Sequence, residues 1–414
     1  MKRVDGIKRT SRDIRNNNRF AVLRGIYSAA SPTRQDLAAL TGLSFATVSN
    51  IVAELLQAGV LVEAGREDSG GGRPRARLKF DPDRGLLLGV DVAETYVRVD
   101  VFDLALSHLA RYDHDFTDRK SDPEYVIGEI ARSVQEGLDD FRDGQVLGVG
   151  VSMPGQVEPN AGVSVFAPNW GWADEPVQAM LQQRLSVPIH VDNPLKATTV
   201  AELWFGHGRE TGDLITENLG NGVGAGIAID GQLIRGVTNN AGEWGHSTLV
   251  MDGRVCRCGR RGCVEAYVGV PGLMALFRER FPHHPYLTGD TQLEFVLAVK
   301  QGLTGGDRDA QWLIGEFARY LGAALANLVN IINPRQIVLS SWTALELGEW
   351  LLAPTRERLN SESISGSAAA VEVVLTSVQG NPVTLGMATL ALESFLEQLG
   401  LAGGAGRPVR AISA

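Results

Sequence analysis

Cysteine is nearly absent from this chain, with three in 414 residues. An odd, small number cannot build a disulfide framework, so a disulfide-stapled extracellular fold is excluded. Long apolar runs are missing as well, and no uninterrupted stretch is long enough to span a bilayer. The first residues are basic and polar without a hydrophobic signal core, so no secretory leader is expected. These absences point to a reducing, cytoplasmic setting and to no membrane partner. What is present is ordinary for a soluble globular protein: 44% hydrophobic and 21% charged residues. The length calls for two or three domains.

The few cysteines are not scattered. All three lie in one octapeptide, Cys256-Arg-Cys258-Gly-Arg-Arg-Gly-Cys263, and a Gly-Glu-Trp-Gly-His run ends at His246 just before it. Three thiolates and one imidazole complete a tetrahedral shell, the closed donor set that a structural Zn²⁺ takes. The other reading is three unrelated buried thiols. Random scatter would rarely put every cysteine into one glycine-bent octapeptide, so His246, Cys256, Cys258 and Cys263 are the expected zinc ligands.

Charge is also unevenly distributed. Residues 1–84 hold 15 Lys/Arg against 9 Asp/Glu, whereas the whole chain carries a net charge of -9. A basic head on an acidic body suits a head that meets nucleic acid, although a solvated tail has the same charge. Residues 1–18 carry Lys2, Arg3, Lys8, Arg9, Arg12 and Arg15 without an apolar period and read as a mobile arm. From 19 to 80 a winged helix-turn-helix is expected. Phe20, Leu23, Ile26 and Tyr27 share one helical face. Thr33 and Asp36 form a capping box for a second helix, with Leu37 and Leu40 inward. Thr41-Gly42-Leu43 makes the turn. Ser44 caps a third helix whose buried stripe is Val48, Ile51, Val52 and Leu55.

That stripe turns Phe45, Ala46, Thr47, Ser49 and Asn50 outward, where a recognition helix meets base edges. Asn50 suits adenine and Thr47 a thymine methyl or a base acceptor. Phosphate contacts would come from Arg34 and the arm. Strands at 60–63 and 75–80 flank Ser-Gly-Gly-Gly-Arg-Pro, a wing that would present Arg73 to a narrow minor groove. The DNA-contact set is therefore Arg34, Ser44, Phe45, Thr47, Ser49, Asn50 and Arg73. A helical hairpin followed by a glycine linker is the plainer alternative.

Residues 81–85 read as a linker. Beyond it, strands at 86–91, 97–102 and 147–152 open an α/β body. Its motifs are Gly-Val-Ser-Met-Pro-Gly-Gln at 150–156, Ala-Pro-Asn-Trp-Gly-Trp at 167–172, Asn-Gly-Val-Gly-Ala-Gly at 221–226, Gly-Glu-Trp-Gly-His at 242–246, Cys-Val-Glu at 263–265 and Leu-Ala-Asn-Leu-Val-Asn-Ile-Ile-Asn-Pro at 325–334. With these the body resembles the ROK family of repressors, uncharacterised reading frames and sugar kinases. The appended head resembles that of its repressor branch, with regulators responsive to xylose, glucose and N-acetylglucosamine. The resemblance implies a two-lobed actin-like ATPase fold. The first lobe would take 86–195 with 383–400, and the second 196–382 with the zinc loop at 246–263. Residues 401–414 would be a disordered tail.

The resemblance also implies sugar contacts at Asn169, Asn193, Glu243, His246 and Glu265, since amides and carboxylates match a ring of hydroxyls. The family's catalytic aspartate falls on Pro194, which cannot act as a base; Asp192 is the nearest substitute. Its first phosphate loop, Asp-x-Gly-Gly-Thr, is Asp91-Val92-Ala93-Glu94-Thr95, and a carboxylate there repels phosphate. Its second is Gly220-Asn221-Gly222. The Gly-Gly that admits the nucleotide is Ser340-Ser341, followed by Trp342. The expectation is a degenerate, non-enzymatic body: a sugar-responsive transcription regulator, most simply a repressor. It would bind operator DNA as a homodimer, with a tetramer as the alternative. An active kinase with a DNA-binding head, or control by a protein partner of sugar transport, are the competing readings.

Overall fold

The structure is a computed structural model that describes residues 11–399 apart from Ala30, 68–74, 116–118, Asp143 and Glu210. The wing tip with Arg73, the first ten residues and the expected tail at 401–414 lie outside the described residues.

The head comprises α1 (Ser11–Ser28), α2 (Arg34–Thr41), α3 (Phe45–Gln57), β1 (Leu61–Glu67) and β2 (Arg75–Phe80). Helix α1 starts within the stretch read as a mobile arm. Its Arg15 and Arg19 sit one turn apart and both pair with Glu54 of α3, which gives those turns a reason to be ordered. Thr33 caps α2 in a reciprocal box with Asp36, and Gly42 ends it in the left-handed conformation. Ser44 caps α3. Strands β1 and β2 pair antiparallel from Leu61↔Phe80 outward. The head core is Val22, Leu23, Ile26, Leu37, Val48, Ile51, Val52, Leu55, Leu61, Leu78 and Phe80. Leu40, placed inward by its spacing, is instead 59% exposed, because α2 is short and only Leu37 reaches the core.

The chain divides into two compact units, residues up to Phe205 with those from Gln379 on, and Gly206–Val378. After a 3-10 turn at Pro82–Arg84, the first unit continues with β3 (Leu86–Val92), β4 (Tyr96–Asp103), β5 (His108–Asp115), α4 (Pro123–Asp140) and β6 (Val146–Ser152). There follow a small meander of β7 (Gln156–Glu158), β8 (Val163–Ala167) and β9 (Trp172–Glu175), then α5 (Val177–Gln182), β10 (Ile189–Asp192) and α6 (Pro194–Phe205). The main sheet runs β10-β6-β3-β4-β5, with β3 parallel to β6 and antiparallel to β4.

The second unit holds β11 (Leu214–Leu219), β12 (Val223–Ile229), β13 (Gln232–Leu233), a 3-10 turn at Glu243–His246, α7 (Glu265–Val268), α8 (Val270–Arg280), α9 (Gln292–Thr304) and α10 (Arg308–Ile332). It ends with β14 (Gln336–Leu339), α11 (Trp342–Glu362), α12 (Ser365–Ala368) and β15 (Glu372–Leu375). Its sheet, β13-β12-β11-β14-β15, repeats the pattern of the first: an antiparallel meander on one side, two parallel strands on the other. Its core gathers Phe277, Phe295, Phe317, Leu325 and Ile337.

The chain then returns to the first unit as α13 (Pro382–Gln398). β3 is buried at every position, as a continuous apolar run covered on both faces should be. Gly89 and Gly150 let α13 lie directly on the sheet: a Cβ would stand 1.8 Å from the Thr384 carbonyl oxygen and 2.1 Å from that of Met387, respectively. Helix α6 belongs to this unit, not to the second lobe that a boundary at 196 would give. It is buried from Lys196 to Trp204 without a polar face.

Candidate functional site

Three groups of residues carry chemistry. On α3 the Ser44 hydroxyl accepts from the Thr47 backbone N–H at 3.1 Å, and the two hydroxyls lie 2.8 Å apart. Burial of Val48, Ile51, Val52 and Leu55 leaves Phe45 57% exposed, with Ala46 and Asn50 exposed beside it. Ser49 is turned inward; its hydroxyl is buried without a hydrogen-bond partner. Arg34 lies 3.7 Å from Glu63 of β1 and so is engaged within the head. The exposed residues at this end of α3 are therefore Ser44, Phe45, Ala46 and Asn50, with Thr47 half-buried.

The second group is the cysteine loop. The ligand atoms of His246, Cys256, Cys258 and Cys263 all lie within 4.8 Å of one another. The Cys258 and Cys263 sulfurs are 3.7 Å apart, and Cys256 Sγ is 3.7 Å from His246 Nδ1. A tetrahedron with metal–sulfur bonds of about 2.3 Å has edges of about 3.8 Å, so the donors stand at ligating distances. Gly262 makes the fold-back, since a Cβ there would meet the Val250 carbonyl oxygen at 1.7 Å. Burial pushes the Cys256 thiol up to about 12 and raises that of Cys263. Burial also opposes ionisation of Cys258, but the backbone N–H and guanidinium of Arg260 outweigh it and hold that thiol low. A central cation would draw the remaining protons off. These four residues can hold a metal ion.

The third group comprises the sugar-contact candidates, which divide between the units. In the first, Asn169 is exposed on the turn before buried Trp170 and donates to Glu94 at 2.6 Å. Asn193 precedes α6, donates to the Gly155 carbonyl at 2.5 Å and accepts from the Leu195 N–H. In the second, Glu243 is exposed, and His246 turns Nδ1 toward the cysteines, leaving Nε2 on the far side of the ring. Glu265 is buried. Arg257, unnoticed in the sequence, grips it with Nε and Nη2 at 2.8 and 3.0 Å, and the Val223 N–H adds a bond of 3.0 Å. Its position between two ligand cysteines was the available signal.

The residues expected to handle nucleotide are occupied otherwise. Asp91 is buried, which raises its carboxyl, and accepts from Asn381 and Tyr96 at 2.9 and 3.0 Å. Glu94 lies 3.5 Å from Lys120. Pro194 begins α6, and Asp192 is fully buried at the end of β10 with its Oδ1 bonded by the Asn193 N–H. Ser341 caps α11. Trp342 lays its indole across the glycine loop, with Nε1 3.3 Å from where a Gly220 Cβ would be.

Comparison with known proteins agrees with this architecture. The model of the ROK family matches residues 87–394, so the head lies outside it. The xylose repressor of Caldicellulosiruptor bescii is 28% identical over 390 residues, covering 92% of this chain and 96% of its own. A solved ROK family transcriptional regulator, a homologue of the E. coli MLC protein, superposes with a TM-score of 0.77 at 22% identity; the match covers 94% of this chain and 99% of that one. A ROK family glucokinase from Streptomyces griseus, solved with glucose and AMPPNP, gives a TM-score of 0.65 at 28% identity over 74% of this chain and 99% of its own.

Proposed function

The chain belongs to the ROK family, and from that premise we propose that it is a transcriptional repressor whose hold on operator DNA answers to a sugar. The observation that carries this reading is the head: a capped helix with its apolar stripe buried and Phe45, Ala46 and Asn50 exposed, on a chain similar over nearly its whole length to a xylose repressor. Two such heads in a homodimer would meet the half-sites of a palindromic operator in the cytoplasm. The sugar acts only through its different affinity for DNA-bound and released forms. Its contact candidates are Asn169 and Asn193 on the first unit and Glu243, His246 and Glu265 on the second.

We assign Zn²⁺ to His246, Cys256, Cys258 and Cys263. Four N/S donors close the shell and leave no open position, so the ion would fold the loop rather than activate water.

Kinase activity is the second reading, favoured by the likeness to a glucokinase. Four features weigh against it: Pro194 at the base position, a buried Asp91 bound by Asn381, Glu94 in the first phosphate loop, and Trp342 over the second. Binding of duplex fragments from sugar-utilisation operons, with and without a sugar panel, tests the proposal alongside a coupled ATP assay. Sugar-dependent release without ATP turnover is expected. Indifference to every duplex, or robust phosphorylation of a hexose, would sink it.

A further inference from the structure

We propose that the first unit carries a second ligand site, at the entering ends of β6 and β10, for a neutral polyhydroxylated molecule no larger than a monosaccharide. A cavity of about 170 Å³ lies there between α5, β6, β10 and the C-terminal half of α13. That is room for about five or six waters at liquid density, and well below a pocket for a drug-sized ligand. The sugar candidates of this unit stand elsewhere: Asn193 lies past the other end of β10, and Asn169 follows β8.

His190 lines the cavity, and its Nε2 is buried without a hydrogen-bond partner. The fully buried Asp192 carboxylate stands 3.9 Å from that nitrogen, beyond hydrogen-bond reach. Gln178 is committed, since its amide donates to the Ile189 carbonyl at 2.9 Å. Gln182, Ser394 and Gln398 set two more amides and a hydroxyl beside the imidazole, and Phe395, Leu147 and Pro188 form an apolar wall. Among the described residues none that lines the cavity is Lys, Arg, Asp or Glu. A charged ligand would therefore be buried without a counter-charge, which is costly. Amide, hydroxyl and imidazole groups both donate and accept, as sugar hydroxyls do, while the wall takes the C–H face of the molecule.

The same wall touches the join between head and body. The Arg84 guanidinium lies 5.7 Å over the Phe395 ring, and a Cβ on Gly85 would stand 2.8 Å from Leu147. Toward the head, Arg84 Cδ is 3.6 Å from where a Cβ of Gly59 would be, just beyond the end of α3. An occupant that fixes Phe395 and Leu147 thus bears on the residues that carry the head.

The test is hydrogen exchange of the full-length protein with xylose, glucose and arabitol, and with glucuronate and glucose 6-phosphate as charged controls. At least one neutral compound should slow exchange about threefold or more in 147–149, 188–190 and 391–398, and the charged ones should not. His190→Phe keeps a ring but removes the orphaned nitrogen; it should abolish this protection with the melting temperature unchanged or raised. Ser394→Leu fills the cavity and should abolish it too. Neither should alter protection around Asn169 or Glu243. Resting on the operator reading above, the protecting compound should change duplex affinity in the Asn169→Ala protein, and Arg84→Gln should cancel that change while leaving the protection. No slowing by any neutral compound, equal slowing by the charged ones, or protection that survives both cavity variants would overturn the site. So would protection of 188–190 that disappears in Asn169→Ala, which would make it an echo of the other sugar contacts. Protection with unchanged duplex affinity would overturn the link to the head.

Discussion

At the residue scale the cysteine loop and Glu217 make opposite demands. The loop brings thiols together that burial would keep protonated, so a bound cation and the fold of the loop are coupled. Cys263→Ser is expected to lower the bound-metal ratio and the apparent melting temperature, and a chelator should do the same to the parent protein; metal analysis beside thermal unfolding checks both. Glu217 lies in β11 on the same side as Ile215 and Leu219, fully buried, with both carboxylate oxygens lacking a hydrogen-bond partner. Burial holds its carboxyl well above its ordinary value of 4.5. The folded state therefore keeps a proton that the unfolded chain releases. Stability is lost as pH rises above the unfolded value, by about 1.4 kcal/mol per pH unit until the folded value is passed. Glu217→Val should stabilise the protein, and more at pH 8 than at pH 5. Urea unfolding at both pH values measures this; an equal gain at both would refute the assignment.

At the element scale, the head is tied to the body through α6. This buried helix starts directly after Asn193 and ends at Trp204 and Phe205, where Tyr27 of α1 meets both rings at 5.4 and 5.6 Å. Tyr27 also stacks on Phe80 of the wing at 4.0 Å and donates to the Leu104 carbonyl at 2.6 Å. One side chain of the head's first helix thus touches β2 and the body. Tyr27→Phe removes only the hydrogen bond and should cost about 1–3 kcal/mol. Tyr27→Ala should keep operator affinity within a few-fold while weakening release by sugar, because the rigid link from Asn193 to the head is cut. Operator binding measured with and without effector decides this. The capped ends of α2 and α3 were legible in the sequence, because a cap is made by residues three apart. The earlier start of α1 was not, because Glu54 lies 39 residues from Arg15.

At the scale of the whole molecule, the body shares its fold with a ROK family glucokinase, and the residues at its expected phosphate loops make structural contacts. Asp91 joins β3 to the cap of α13, Glu94 joins Lys120 and Asn169, and Ser341 caps α11. Restoring one residue should therefore not restore catalysis. Pro194→Asp is expected to show no hexose phosphorylation above background in a coupled assay, since the nucleotide loops stay altered; turnover by that single variant would show that the loops still accept ATP. With 15 Lys/Arg against 9 Asp/Glu in residues 1–84, operator binding should weaken steeply as salt is raised in a binding titration.

What the sequence determined by itself is what neighbours along the chain can decide. The four candidate metal donors lie within the stretch from His246 to Cys263, the caps are local, and the buried strands announce themselves as apolar runs. Only the tertiary structure decided the pairings that set the chemistry. Asn169 meets Glu94 across 75 residues, Tyr27 meets Leu104 across 77, and Asp91 meets Asn381 across 290. Arg257 is the instructive middle case, since Glu265 is only eight residues away, yet the turn of the metal loop chooses between that carboxylate and open solvent. Periodicity and capping are properties of a segment, whereas the partner of a charged side chain is fixed by how sheets and helices bring distant segments together.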